Sequence, residues 1–168
     1  MVTVEEVEKY FELKIKELKK NLPLKYKKEK VQPRNCAAWT VASMLDILKI
    51  EDTNIINMAS PLAGITRICG AIGGGLMMIG LIVGEKGKKE IPQWTASAEG
   101  MKFIRRFEKK FESIQCPVLI GHDLLTSEGM KAFIKEDVWG KKCYLHVTTA
   151  IEIIGRLYKK KIANIIKF

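Results

Sequence analysis

The sequence has few of the residues that disordered and disulfide-rich proteins require. Only 5 of its 168 residues are proline and 29% are charged, whereas 47% are hydrophobic, so we expect a folded chain with a substantial core. Its 4 cysteines are too sparse for a small secreted disulfide scaffold. The CxxC, CxxCH, P-loop, G-x-S-x-G and HExxH motifs are also absent. Zinc-finger, thioredoxin, c-type haem, nucleotide-binding and hydrolase functions therefore have no support in the sequence.

The first residues, Met1 to Glu6, lack a basic segment followed by an apolar one, which is the pattern of an export signal. We therefore expect a cytoplasmic protein. In that compartment cysteines stay reduced and serve metal or redox chemistry more often than structural bridges.

The charge is strongly positive, because 29 lysines and arginines oppose 19 acidic residues and give a formal net charge of +10. The densest basic cluster consists of Lys25, Lys27, Lys28, Lys30 and Arg34. Aromatic residues fall on predicted core faces rather than among these lysines, so we interpret the cluster as a solvated surface and predict no nucleic-acid partner.

Hydrophobic spacing predicts an all-α fold, a single-domain bundle of about five to seven helices. No segment alternates as a strand does over more than a few residues. We divide the chain into an amphipathic helix with a basic connector (1–34) and a four-cysteine helical domain (35–168) within one globular unit. The predicted elements are a helix over 3–20, a solvated connector over 21–34, helices from 35, over 54–59, 68–84 and from 95 or 97 to 114, a short segment over 117–121, a helix over 127–135, a loop at 139–140 and a last helix over 143–161.

The central prediction concerns the uncharged run from Ile68 to Gly84, ICGAIGGGLMMIGLIVG. As a helix it rises only ~25 Å, whereas a membrane span needs ~20 apolar residues, so we predict a buried central helix and no membrane association. Gly70 and Gly74, then Gly80 and Gly84, are spaced by four, which lets another backbone approach closely.

The cysteines are far apart in sequence but share a local setting. Cys36, Cys69, Cys116 and Cys143 are separated by 33, 47 and 27 positions, and all fall at or near predicted helix N-termini. Free N–H groups and the positive end of the helix dipole there favour a thiolate and lower the pKa of a thiol. We therefore weigh a shared functional cluster against four separate packing cysteines.

Histidines add one candidate. His146 lies three residues after Cys143, on a neighbouring helical face, where it could replace a thiolate as a ligand or donate to a cluster. A hydrogen-bonded helix side chain is the commoner role. His122 follows a glycine in a turn and carries no further signal.

The run Cys69-Gly70-Ala71-Ile72-Gly73-Gly74 reads CGAxxG, with Cys36 upstream and Cys116 and Cys143 downstream. In this order the four cysteines resemble the C_GCAxxG_C_C family of redox-active proteins, and the resemblance covers about Asn35 to Leu157. It departs from the family pattern because Cys69 precedes its glycine and residues 60–67 lack the run of glycines that relatives carry.

The resemblance implies a small helical protein whose four cysteines act together in electron transfer. A related module in split-Soret cytochromes is associated with an iron–sulfur centre, so we expect a [2Fe–2S] cluster held by the four cysteines. The resulting site residues are Cys36, Cys69, Cys116 and Cys143 as metal ligands, with Gly70 and Gly74 at the cofactor.

Other functions stay open at this stage. The cysteines could cycle through disulfides as a metal-free oxidoreductase, or hold a redox-silent structural zinc, or belong to a metal-free helical binding module. We expect a redox partner protein and leave enzymatic activity and homo-oligomerisation undecided.

Overall fold

The structure, a computed structural model, describes residues 2–28, 34–86 and 88–166, and these form an all-α, single-domain fold as predicted. The described helices run in the order α1 (Val4–Lys28), α2 (Cys36–Leu48), α3 (Thr53–Ala59), α4 (Gly70–Val83), α5 (Gln93–Phe111), α6 (Cys116–Ile120), α7 (Ser127–Lys135) and α8 (Tyr144–Ile165). A 3₁₀ turn, Ser60–Leu62, follows α3, and a π-helical turn, Trp139–Cys143, leads directly into α8. The division at residue 34 stays a prediction.

The core forms where the two most apolar helices meet. α2 packs against α4, and α8 lies across both of them, while α1 covers α8 from the outside. α5 closes the other side with Phe103 and Phe107, whose side chains are fully buried. α4 is therefore the central buried helix that its uncharged sequence predicts. Within the described part of the chain, no helix combines the length and apolar character that a bilayer crossing requires.

The α2–α4 contact depends on glycine at two positions. A Cβ at Gly74 would lie 2.6 Å from the carbonyl oxygen of Ala37, and one at Gly70 would lie 2.9 Å from the Ala37 nitrogen. Close approach is thus confirmed for this pair. The prediction is wrong for Gly80, where nothing lies within 4 Å of an added Cβ, because this face of α4 meets no second helix.

The first helix is longer than predicted. α1 runs on to Lys28 through Pro23, so the connector expected over 21–34 is wrong for its first eight residues. Pro23 has no backbone N–H and so removes one hydrogen bond from α1. Leu22 is only 1% exposed, and its burial in the core keeps this turn of the helix in place.

Two members of the predicted basic cluster are placed against an aromatic ring. Lys25 Nζ lies 5.8 Å, and Arg34 Cζ 5.1 Å, from the centroid of the Trp39 ring. Contact with a buried ring replaces the purely solvated role expected for this pair. The side chains of Lys27, Lys28 and Lys30 lie outside the described residues.

Two boundaries differ for physical reasons. α5 begins two residues before Thr95 and ends at Phe111, because Glu112 adopts a left-handed conformation (φ 62°) that stops the helix. The loop predicted at Trp139-Gly140 is wrong, since a π-helical turn there buries both Trp139 and Cys143 at 2% exposure.

Candidate redox site

A short pairing of two extended segments fixes two of the cysteines. The Cys69 N–H donates to the carbonyl of Ile114 (2.8 Å) and the Cys116 N–H donates to the carbonyl of Arg67 (2.7 Å), on either side of an antiparallel bridge between Ile68 and Gln115. Side chains alternate along extended segments, so Cys69 and Cys116 lie on the same face of this pair. α4 then begins directly after Cys69 and α6 begins at Cys116.

Local hydrogen bonds position Cys36 at the first residue of α2. The Asn35 side chain accepts from the Ala38 N–H (3.0 Å), which caps the helix, and its Nδ2 donates to the carbonyl of Ser60 (2.6 Å). An added Cβ at Gly70 would lie only 3.0 Å from the Cβ of Cys36, so glycine there lets the start of α4 meet the start of α2.

Cys143 reaches the site from the last residue of the π-helical turn. Its thiol lies close enough to the Cys36 thiol to raise the pKa of Cys36. The expectation of a helix N-terminus at Cys143 is wrong, because the π turn continues into α8 and leaves no free first turn at this residue.

Burial and the charges of neighbouring groups raise the pKa values of Cys36, Cys69 and Cys116. The hydrogen bond to Cys143, burial, and the charge of a Cys143 thiolate all raise the pKa of Cys36 well above its usual range. Burial, and then the charges of Cys36 and Cys116, raise the pKa of Cys69 although the Ala71 and Ile72 amides oppose the shift. Burial, followed by the charges of Cys36 and Asp123, raises the pKa of Cys116 to about 11.

The prediction that helix N-termini lower these thiol pKa values is therefore wrong for Cys36, Cys69 and Cys116. Desolvation by the packed helices and repulsion between neighbouring thiolates outweigh the local amides. Cys36 is nevertheless near enough to each of the other three cysteines for their charges to interact.

The cluster opens toward solvent on one side. Cys69 and Cys143 are buried at 3% and 2% exposure, while Cys36 and Cys116 are partly exposed. Ile68, next to Cys69 in the sequence, and Val118, two residues after Cys116, are exposed apolar side chains. Arg67 and Asp123 form an ion pair, with 3.0 Å between Nη2 and Oδ2.

Whether the four cysteines are arranged to bind a metal depends on whether one ion or two would share their sulfurs. In the described ranges, no three or more His, Cys, Asp or Glu side chains are gathered closely enough to hold one metal ion. A four-thiolate zinc site needs every sulfur at ~2.3 Å from a single ion. A [2Fe–2S] cluster divides its four thiolates between two irons, so it needs only pairs of neighbouring sulfurs. The structure indicates one such pair, Cys36 and Cys143.

His146 and His122 have different surroundings. His146 is 5% exposed, its ring meets the Phe111 ring edge-on with 4.7 Å between centroids, and its Nδ1 has no hydrogen-bond partner. Burial, with a smaller effect of Lys142, lowers the pKa of His146 to about 4. His122 Nε2 lies 2.9 Å from Glu136 Oε2, an ion-pair geometry for which the sequence held no signal.

Sequence reasoning also missed the backbone groups that hold the site. The carbonyls of Arg67 and Ile114 fix two cysteines, but a bridge of one residue pair leaves no periodic pattern that could reveal it. Gly70 and Gly74 act in the structure as helix-contact positions, and their role at a cofactor stays a prediction.

The comparisons with known proteins agree with this arrangement at the level of the family. Residues 34–157, which include all four cysteines, match the family model described as "Putative redox-active protein (C_GCAxxG_C_C)". The comparisons with curated proteins and with solved structures give no match. Because its family match covers most of the sequence and includes all four cysteines, the chain belongs to the C_GCAxxG_C_C family.

Proposed function

We propose that this protein transfers electrons through an iron–sulfur centre held by Cys36, Cys69, Cys116 and Cys143. The observation that supports the proposal is that the Cys36 thiol interacts with the Cys143 thiol and that its charge also influences the Cys69 and Cys116 thiols. An iron–sulfur centre bound to these thiolates supplies one-electron chemistry.

The raised thiol pKa values support a cationic occupant. At neutral pH the free thiols of Cys36, Cys69 and Cys116 keep their protons, since their burial and the repulsion between neighbouring thiolates disfavour the charged form. Positive metal ions remove that repulsion and release the protons on binding. The Ala71 and Ile72 amides, at the start of α4, already favour a charged Cys69 sulfur.

The exposure of the cluster supports exchange of electrons with a protein partner. Cys116 is partly exposed beside Val118, which is 64% exposed, and Ile65, which is equally exposed. An apolar rim around a redox site excludes water when a partner docks. We expect electrons to enter and leave at this side.

The test is the metal and sulfide content of protein purified without air. We expect iron and acid-labile sulfide in equal amounts and visible absorbance that dithionite bleaches. Cys116→Ser should lose both, whereas Val118→Ser, which places a serine at an exposed position of the same helix, should keep them. A wild-type protein that stays colourless and free of iron after reconstitution would overturn the proposal.

A second function is favoured by one specific observation, the interaction between the Cys36 and Cys143 thiols. These two thiols could reduce a disulfide substrate, losing two protons and two electrons to form one S–S bond while the substrate gains two thiols. The high pKa of Cys36 makes its thiolate scarce at neutral pH and slows this reaction. Thiol counting and mass spectrometry after mild oxidation test it: a Cys36–Cys143 disulfide supports it, and four unchanged thiols reject it.

A further inference from the structure

Basic residues are concentrated on two helices that pack against each other, α5 and α8. α5 carries five basic and two acidic residues, and α8 carries four basic residues and one acidic residue. A surface with such an excess of one charge attracts groups of the opposite charge. We therefore searched these two helices for a place where an anion could bind.

A cleft of about 520 Å³ lies between α5 and α8. Its lining consists of Arg106 and Lys110 from α5, and of Thr149, Glu152, Ile153 and Arg156 from α8. Thr149 and Ile153 are partly buried, whereas the three basic side chains are exposed. Small-molecule sites have volumes of about 300–1,000 Å³ and combine apolar contacts with a few polar groups, and this cleft has both features.

The acidic residue of the cleft is already shared between two cations. Glu152 accepts a hydrogen bond from Arg156, with 2.6 Å between Oε1 and Nη2, and its Oε2 lies 3.6 Å from Lys19 Nζ. Arg106 and Lys110, in contrast, form no ion pair with any acidic side chain in the part of the chain that the structure describes. Two positive charges of the cleft are therefore not balanced by the protein.

The acidic residues of α5 do not supply the missing charge. Glu99 pairs with Lys102, with 2.8 Å between Oε1 and Nζ. Glu108 lies two positions from both Arg106 and Lys110, and side chains two apart do not face each other on a helix. Arg106 and Lys110 are themselves four apart, so they are neighbours on the helix surface and their like charges repel. An anion bound between them would remove this repulsion.

We propose that the cleft binds a phosphomonoester, a small organic molecule with one terminal phosphate, and that this phosphate lies between Arg106 and Lys110. A phosphomonoester carries a charge of about −1.5 to −2 at pH 7, which matches the two unbalanced cations. Arginine can bind phosphate oxygens with two N–H groups, and lysine binds them as a point charge. The Thr149 hydroxyl can donate a further hydrogen bond, and Ile153 provides an apolar contact for the organic part.

The test measures the binding of phenyl phosphate to the metal-free full-length protein by NMR chemical-shift titration at low ionic strength. Phenyl sulfate, which has a similar shape but a single negative charge, is the control probe. Arg106→Gln and Lys110→Gln each remove one of the two cations at exposed positions. Arg105→Gln is the matched control, because it removes the same charge from a neighbouring position of α5 that does not line the cleft.

We expect phenyl phosphate to bind at a single site with a Kd of about 1 mM or lower, and to shift the amide signals of Thr149 and Ile153. Phenyl sulfate should bind more weakly. Arg106→Gln and Lys110→Gln should each weaken the binding of phenyl phosphate roughly tenfold, while Arg105→Gln should weaken it by less than about twofold. Without a ligand, Arg106→Gln and Lys110→Gln should melt no lower than the wild type, since each removes a repulsion.

Three results would overturn the proposal. The first is the absence of saturable shifts at phenyl phosphate concentrations up to about 10 mM. The second is an equal loss of binding in Arg105→Gln and Arg106→Gln, which would indicate general attraction to a basic surface. The third is binding of a single-stranded oligonucleotide that phenyl phosphate does not displace, which would assign this face to nucleic acid. Iron content is not measured here, so this inference and the iron–sulfur proposal fail or hold in separate experiments.

Discussion

Replacing Gly74 by alanine tests the contact between α2 and α4 that sets the position of Cys36. The added Cβ would lie 2.6 Å from the Ala37 carbonyl oxygen, 3.1 Å from the Thr40 Cβ and 3.2 Å from the Ala37 carbonyl carbon. Two of these three atoms belong to the backbone, so no rotamer change relieves the clash. The two helices must move apart. Gly80→Ala in the same helix is the matched control, since nothing lies within 4 Å of its added Cβ.

The two variants should change stability in opposite directions. Overpacking costs about 1–3 kcal/mol, and a backbone clash belongs near the upper end. Alanine gains about 1 kcal/mol over glycine inside a helix. Gly74→Ala should therefore lose about 2 kcal/mol of unfolding free energy and melt roughly 4–8 °C lower, whereas Gly80→Ala should gain about 1 kcal/mol and melt roughly 2–4 °C higher.

Thermal unfolding of the metal-free proteins, followed by circular dichroism, measures both shifts without a contribution from bound metal. Since Gly70 and Gly74 share the face against α2, Gly74→Ala should also lower the iron content after reconstitution. A Gly74→Ala protein that melts at or above the wild-type temperature would show that α2 and α4 do not approach as closely as described.

Three further substitutions test other contacts. Asn35→Ala removes the cap of α2 and should cost about 1 kcal/mol in urea unfolding, part of which Asn35→Ser, which keeps a capping oxygen, should restore; equal losses in both variants would argue against the cap. Hydrogen bonds from Lys102 and then Tyr158 lower the pKa of Glu99, so its carboxylate stabilises the folded state above the unfolded pKa, and this contribution is lost as the pH falls through the lowered value. Glu99→Gln should therefore be less stable than the wild type at pH 7, by a difference that shrinks below about pH 4; a difference independent of pH would contradict this. Phe103→Ala empties a fully buried position and should cost about 3–5 kcal/mol, so a loss below 1 kcal/mol would place Phe103 outside the core.

Local signals predicted several helix starts closely. Asn35 caps α2 and Asp52 caps α3, with side chains that accept from backbone N–H groups two or three residues on. The beginning of α7 at Ser127 follows a similar cap from Thr126. Such caps involve residues adjacent in sequence, so the sequence alone contains the information that places them.

Tertiary contacts explain what the sequence could not predict. Pro23 and the charges after it indicate a connector, but burial of Leu22 keeps this stretch helical. The π-helical turn at Trp139–Cys143 likewise depends on which side chains the core accepts.

The site shows the same division between local and tertiary information. The cysteine order predicted that the four residues act together, which stays a prediction; in the structure the charge of Cys36 influences Cys69 and Cys116, and its thiol interacts with that of Cys143. Reasoning from helix starts gave the wrong sign for the thiol pKa shifts, because desolvation arises only when the helices pack.

The bridge between Ile68 and Gln115 also bears on how the site survives local unfolding. Its flanking hydrogen bonds use the amides of Cys69 and Cys116 as donors, so the two cysteines are joined through the main chain whatever their side chains bind. Both amides should exchange with deuterium slowly and at matching rates, as members of one cooperative unit. Replacing Cys69 or Cys116 by serine would keep both backbone hydrogen bonds. The loss of a ligand can therefore be separated from the loss of the backbone structure that supports it.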